Sequence, residues 1–163
     1  MGATNPQSLE TRPVLAVETL RRYPFFAGLN PDTLNRVAEI SHEIELPAGQ
    51  ILFQEGDPAL NLFIVARGEM DIGFELSWGE KRVVDHVVAG EILSWSALLP
   101  PYRVTATAVA RCDSRLIALD AEGLRVLRNQ DDALGHRLMT EVARSLAHRL
   151  HGAHTQLAAV ESH

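Results

Sequence analysis

The sequence predicts an α+β fold: an antiparallel β-roll of the double-stranded β-helix or jelly-roll type, flanked by N-terminal helices and a long C-terminal helix. Three observations predict it. Apolar residues alternate with a period of two from His42 to Asp120. Gly49, Gly56, Gly68, Gly79 and Gly90 sit at or beside the breaks in that alternation, where a turn needs a residue that tolerates positive φ. On either side the period lengthens to that of a helix, and the C-terminal stretch stays helical for some 27 residues, Leu134–Val160.

Each element follows from its residues. Residues 1–13 are polar and read as a flexible N-terminal segment; residues 14–163 read as one domain. Val14–Tyr23 and Thr33–Ile40 are expected helices, within 14–41. The second has a start signal in Asn30-Pro31-Asp32 and an apolar side in Leu34, Val37, Ala38 and Ile40. Phe25 and Phe26 are placed to anchor the bend between the two. In the expected roll, 42–120, Ile44 and Leu46 alternate, then Ile51 and Phe53. "NLFIVARGEMDIGFEL" reads as a hairpin: Leu62–Ala66, a turn at Arg67-Gly68, then Met70, Ile72, Phe74 and Leu76 on one face. Arg82–Val88 is a further strand, and Val104–Ala110 with Ser114–Asp120 the last pair. Short strands so regularly punctuated read as an antiparallel barrel or roll. In 121–163, Ala121–Asn129 is a short helix and Leu134–Val160 a long one. Leu146, Leu150, Ala153, Leu157 and Val160 step by four, three, four and three, a short heptad seam. Its proximal part should pack on the roll. Its distal turns run past a small domain, so a homodimer through this helix is expected.

The totals exclude several classes. The chain has 163 residues, of which 46% are hydrophobic, enough for one buried core. A net charge of -6 is a poor match to a polyanion and disfavours direct nucleic-acid binding, though it leaves a small anionic ligand open. The one cysteine, Cys112, permits no internal disulfide and reads as a part-buried strand-end residue in a reducing compartment. No apolar run reaches a membrane span, and the N-terminus lacks a secretory apolar segment, so a cytoplasmic location is expected.

The stretches "LPAGQILFQEGDPALNLFIVARGEMDI" (Leu46–Ile72) and "AGEILSWSALL" (Ala89–Leu99), set in this order of helices and strands, resemble the cyclic-nucleotide-binding domain family, which includes the catabolite activator protein. The resemblance spans about Tyr23 to Gly152. It implies a phosphate-binding cassette, here residues 90–103. In the family a helix start presents free N–H groups to the cyclic phosphate, an arginine adds charge-assisted bonds, and a glutamate accepts from the ribose hydroxyl. Gly90-Glu91-Ile92-Leu93 enters the cassette as the family does. Then Ser94 stands in the glycine place, Trp95 in the glutamate place and Ser96 in the leucine place, and Ala97 and Leu98 resume the pattern. Matched by residue type, Arg103 is the phosphate ligand. Counted back from Ala110, Val104 holds the arginine slot, Thr105 the small-residue slot, and Arg103 falls one place early, where a one-residue shift turns a strand side chain to the other face. Trp95 either stacks on a ligand or packs against the long helix.

The ligand-binding residues this implies are Arg103, Thr105, Ser94, Trp95, Ser96 and Ala97, with Ile72 and Val83 from the roll. The expected function is a stand-alone, non-enzymatic sensor for a cyclic nucleotide or other small anion that signals through its C-terminal helix. The alternative is an interaction module that keeps the fold without a ligand. No cofactor, metal or catalytic residue is expected. His148, His151 and His154 form a strip on the long helix without matching acidic or thiol ligands, and His42 and His86 stand alone. Glu69 and Asp71 fall on the face opposite Met70 and Ile72, the wet face, and no nucleophile elbow, Walker loop or dinucleotide fingerprint is present. No helix-turn-helix is expected after the long helix, and Arg137, Arg144 and Arg149 are dispersed along it.

Overall fold

The computed structural model describes residues 15–162. In chain order they form α1 (Val17–Arg21), a 3₁₀ turn (Pro24–Phe26), α2 (Pro31–Glu39), β1 (Ser41–Leu46), β2 (Ile51–Phe53), β3 (Asn61–Arg67), β4 (Glu69–Glu75), β5 (Lys81–Val88), β6 (Ile92–Leu93), a 3₁₀ turn (Trp95–Leu98), β7 (Thr107–Ala110), β8 (Ser114–Asp120), α3 (Ala121–Gln130) and α4 (Asp132–Glu161). The strands make two four-stranded antiparallel sheets, ordered β1-β8-β3-β6 and β2-β7-β4-β5. This is the expected roll between flanking helices.

The helix starts are chemically specified. Asn30 Oδ1 accepts from the Asp32 and Thr33 amides, so α2 begins where the Asn-Pro-Asp signal places it. Asp120 caps α3 by accepting from the Gly123 amide. Asp131 caps α4 by accepting from Leu134, and Thr33 Oγ1 donates to its other oxygen. That hydroxyl bond, then the amide bond, holds the Asp131 carboxyl below the usual carboxylate range. Helix α1 is shorter than the expected Val14–Tyr23, and Val14 and the N-terminal segment lie outside the described residues.

The core fills the space between the sheets and reaches the helices. In β3 and β8, the two central strands of the first sheet, Asn61–Val65 and Leu116–Leu119 are continuously buried, because the second sheet covers one face and helices and turns the other. Strand β4 alternates as expected over Met70 and Ile72, but Phe74 is exposed and Leu76 half-buried. A register shift between Ile72 and Gly73 in the β4–β5 pairing ends the alternation. A similar irregularity in β2 exposes Ile51 and buries Leu52 and Phe53. The last pair is shorter than expected: β7 starts only at Thr107, and Arg103 makes an isolated bridge to Pro58. Cys112 is exposed, not part-buried, because it lies in the turn between β7 and β8 rather than within a strand.

Helix α4 is about 45 Å long by its 30 residues. Leu134, Leu138 and Val142 bury one stripe against the domain, and Leu146 packs on its edge. Beyond that, Leu150, Leu157 and Val160 stand exposed. No helix among the described residues is long and apolar enough to cross a membrane.

The tightest turn is β3–β4, where Gly68 has φ +95° and an added Cβ would lie 2.8 Å from the Ser114 backbone. Gly68→Ala therefore combines left-handed strain with a backbone clash. The expected loss is about 2 kcal/mol or more, read as a fall of roughly 4–8 °C in Tm by calorimetry. An unchanged Tm would show that this turn relaxes freely.

Candidate functional site

The short segment after β6 builds the site. Ser94 adopts a left-handed conformation, φ 63°, at the place where the resemblance expects glycine. An L-residue there costs roughly 1–2 kcal/mol, so the turn geometry is held by its surroundings. Ser96, Ala97 and Leu98 are buried under it. Two arginines of α3 fasten its far end: Arg125 Nη1 donates to the Ala97 carbonyl at 2.8 Å and Arg128 Nη1 to the Leu98 carbonyl at 2.7 Å. Arg125 also lies over the Tyr102 ring, 4.2 Å from its centroid. These bonds consume the carbonyls that a four-residue turn leaves unpaired.

Ser94, Trp95 and Ser96 line a cavity of about 20 Å³ between the sheets. Phe53, Ile72, Leu93, Val104 and Ala106 make its apolar wall, Thr105 its rim, and Arg149 of α4 reaches in from the side. Of the expected site residues, Ile72, Ser94, Trp95, Ser96 and Thr105 thus meet at one place. Ala97 is wholly buried but is not among the lining residues. Val83 is exposed and lines a separate groove of about 590 Å³ with Ile51, Phe74 and Val109. That groove follows the outer face of the second sheet, because the β4–β5 register shift sets Val83 opposite Gly73 rather than Ile72.

Arg103 also points elsewhere. Its Nη1 donates to the Gly56 carbonyl at 2.9 Å in the β2–β3 turn, and the side chain is exposed. The neighbouring Val104 is 4% exposed and lines the cavity. Alternation along this stretch turns position 104 inward and 103 outward, as counting back from Ala110 implies.

The cation beside the cavity is Arg149. Its side chain is 23% exposed, its Nε lies 3.4 Å from Asp85 Oδ2 on β5, and its Nη2 donates to the Ile92 carbonyl at 3.4 Å. Burial pushes its pKa down, while Asp85 and then Glu91 oppose that shift. A second cleft of about 310 Å³ lies outside it, between Asp85, Glu91 and Ile92 on one wall and Glu141, Arg144 and His148 of α4 on the other. Sequence reasoning passed over Arg149. A signal was present: it follows Leu138, Val142 and Leu146 at steps of four, four and three, an arginine in line with an apolar stripe. Among the described residues no cluster of three or more His, Cys, Asp or Glu side chains could hold a metal ion.

This architecture is a β-roll capped by a short 3₁₀ turn and a long helix, and comparison with known proteins gives it a family. The model of the cyclic nucleotide-binding domain matches residues 43–131. A Geobacter metallireducens protein assigned to the cyclic-nucleotide-binding class is 33% identical, with a TM-score of 0.74, over 83% of this chain and 98% of its own. The N-terminal domain of a Streptomyces coelicolor transcriptional regulator is 30% identical, TM-score 0.62, over 81% of this chain and 91% of its own. The cyclic AMP receptor protein of Thermus thermophilus is 28% identical over 123 residues, 76% of this chain and 57% of that protein. The chain belongs to the cyclic nucleotide-binding domain family, with the fold of the catabolite activator type. It spans 57–58% of the length of the first curated relatives it matches, from Mycobacterium tuberculosis and Thermus thermophilus.

The two kinds of arginine at the cassette are separable by stability. Arg128→Met removes a part-buried bond to Leu98 and leaves a carbonyl unpaired, with an expected loss of about 1–3 kcal/mol. Arg103→Ala removes one exposed bond and should change stability by less than about 1 kcal/mol. Urea unfolding of the two variants checks the order; the reverse order would contradict this assignment.

Proposed function

We propose that the domain is a non-enzymatic ligand sensor. It takes a cyclic nucleotide, or another small anion of that kind, in the cassette cavity and signals through α4. The observation that carries this reading is the threefold fastening of the cassette: its carbonyls to α3 through Arg125 and Arg128, its entry strand to α4 through Arg149, and its apolar residues to the roll. A guest that parts these walls must shift the helices they hold.

In the closed arrangement the cavity has room for about one water. Small-molecule sites run to roughly 300–1,000 Å³, so occupancy requires Arg149 or Trp95 to move. The Thermus relative is a receptor for cyclic AMP, which supports a ligand of that class. Trp95 in the carboxylate place and Val104 in the arginine place remove two charged bonds. Each is worth about 1.5–3 kcal/mol, roughly ten- to a hundredfold in affinity, so binding weaker than that of a complete cassette is expected. The exposed thiol of Cys112 fits a reducing compartment, and this reading places the domain in the cytoplasm. Calorimetric titration with cyclic AMP and with cyclic GMP tests it. Heat of binding with either supports the sensor. Silence with both, up to millimolar ligand, overturns the cyclic-nucleotide reading and leaves an interaction module.

The same reading pairs two copies through α4. Leu150, Leu157 and Val160 are 58–73% exposed along one seam. Burying what remains exposed of them on two chains releases roughly 5–13 kcal/mol at about 1.5–3 per fully exposed side chain, against roughly 4–15 for association. The two are of the same order, so a reversible dimer is expected. Sedimentation should show a dimer at tens of micromolar and a monomer for Leu157→Glu. A wild-type monomer at that concentration contradicts the pairing.

A further inference from the structure

The cassette cavity needs a cation if it is to hold an anion, and the cassette itself supplies none. Arg103 is committed to the Gly56 carbonyl and does not line the cavity, while Val104 fills the place that faces inward. Transferring an anionic group into a wall of Phe53, Ile72, Leu93 and Val104 without a partner is strongly unfavourable. The guanidinium that does line the cavity comes from the C-terminal helix.

Three features of Arg149 and its neighbours are those of a binding residue, beyond those of a structural ion pair. Its two contacts, to Asp85 and Ile92, are both 3.4 Å, longer than the 2.7–2.9 Å of a strong charge-assisted bond. A guanidinium has five N–H donors, so most of its capacity is unspent. Directly on the cavity wall, Ser94 is 5% exposed, and its hydroxyl has no hydrogen-bond partner among the described residues. A buried hydroxyl in that state costs free energy unless something arrives to use it. Asp85, the carboxylate against Arg149, is itself partly exposed at the mouth of the outer cleft and can be solvated if the arginine leaves.

We infer that Arg149, carried by the C-terminal helix, is the cation of the cassette cavity: with the Ser94 hydroxyl it binds the anionic group of the ligand, and it leaves Asp85 to do so. This rests on the proposed sensor function and adds how the site is built. The ligand class is a compact anion, a phosphoryl or carboxylate group, on a body that tolerates the apolar wall and Trp95. Ligand occupancy and helix position are then one equilibrium, since the same guanidinium serves both. Asp85 competes with the ligand, and the apparent affinity is reduced by the fraction of protein in which the arginine is engaged.

The test follows Trp95 fluorescence in a Trp78→Phe background, with inorganic phosphate and cyclic AMP as separate probes. Trp78 is 72% exposed and remote from the cavity lining, so its removal isolates the reporter. The expected result is a saturable change with at least one probe. Arg149→Gln weakens that binding roughly ten- to a hundredfold, Arg149→Lys weakens it less, Asp85→Asn tightens it several-fold, and Arg103→Gln leaves it unchanged. If Arg149→Gln fails to fold, Arg149→Lys and Asp85→Asn carry the test, each checked by its thermal melt. A merely structural ion pair predicts that Asp85→Asn lowers Tm without tightening binding, which would overturn the inference. So would binding indifferent to Arg149, or no response to either probe. Phosphate bound through Arg149 with silence to both cyclic nucleotides refutes the nucleotide reading alone. Nucleotide binding that ignores Arg149 but is lost in Arg103→Gln refutes this inference alone.

Discussion

A half-buried arginine joins the C-terminal helix to the roll. Arg149 lies where the long helix α4 crosses β5 and β6, at the boundary between the small cassette cavity and an outer cleft. Burying a guanidinium is costly unless it is paired and hydrogen-bonded. Here the compensation is an aspartate on one strand and a carbonyl on the next. Those contacts, with the bond from Gln156 Nε2 to the Val84 carbonyl, tie α4 to the roll beyond Val142, its last buried residue.

The roll is built to hold that junction steady. The central strands β3 and β8 are packed on both faces, and the cassette hangs on their sheet through the short pairing of β3 with β6. Helix α3 grips the cassette from the opposite end with two arginines, one of which also rests on Tyr102. Arginine suits these places because its planar fork can meet a carbonyl and a ring or carboxylate at once. A turn restrained at both ends can carry a strained serine at position 94, which an unrestrained loop would relieve.

Most of the fold was legible in the sequence because it rests on local chemistry. The Asn30-Pro31-Asp32 start, the strand period and the glycine at position 68 each act within a few residues of chain. Where the reading departed from the structure, a longer-range effect had intervened. The β4–β5 register shift exposed Phe74 and carried Val83 to the outer groove, and nothing in the alternation marks where a bulge falls. In the candidate site, the cassette serines, Trp95, Ile72 and Thr105 line one small cavity. The orientation of Arg103 was undecidable because one residue of register changes its face. Arg149 was in line with the apolar stripe of α4, but what it meets was not legible, for a different reason. It lies some 45 residues beyond the cassette, and only the path of α4 brings it back.

The seating of Arg149 is open to direct measurement by NMR of the arginine side-chain Nε–H groups in ¹⁵N-labelled protein, assigned with the Arg149→Lys variant. A guanidinium held between Asp85 and Ile92 should give a resolved Nε–H signal, shifted from those of the exposed arginines and slow to exchange with solvent, and Asp85→Asn should move it. An Arg149 signal that exchanges as fast as those of Arg21 and Arg22, and ignores Asp85, would contradict the account.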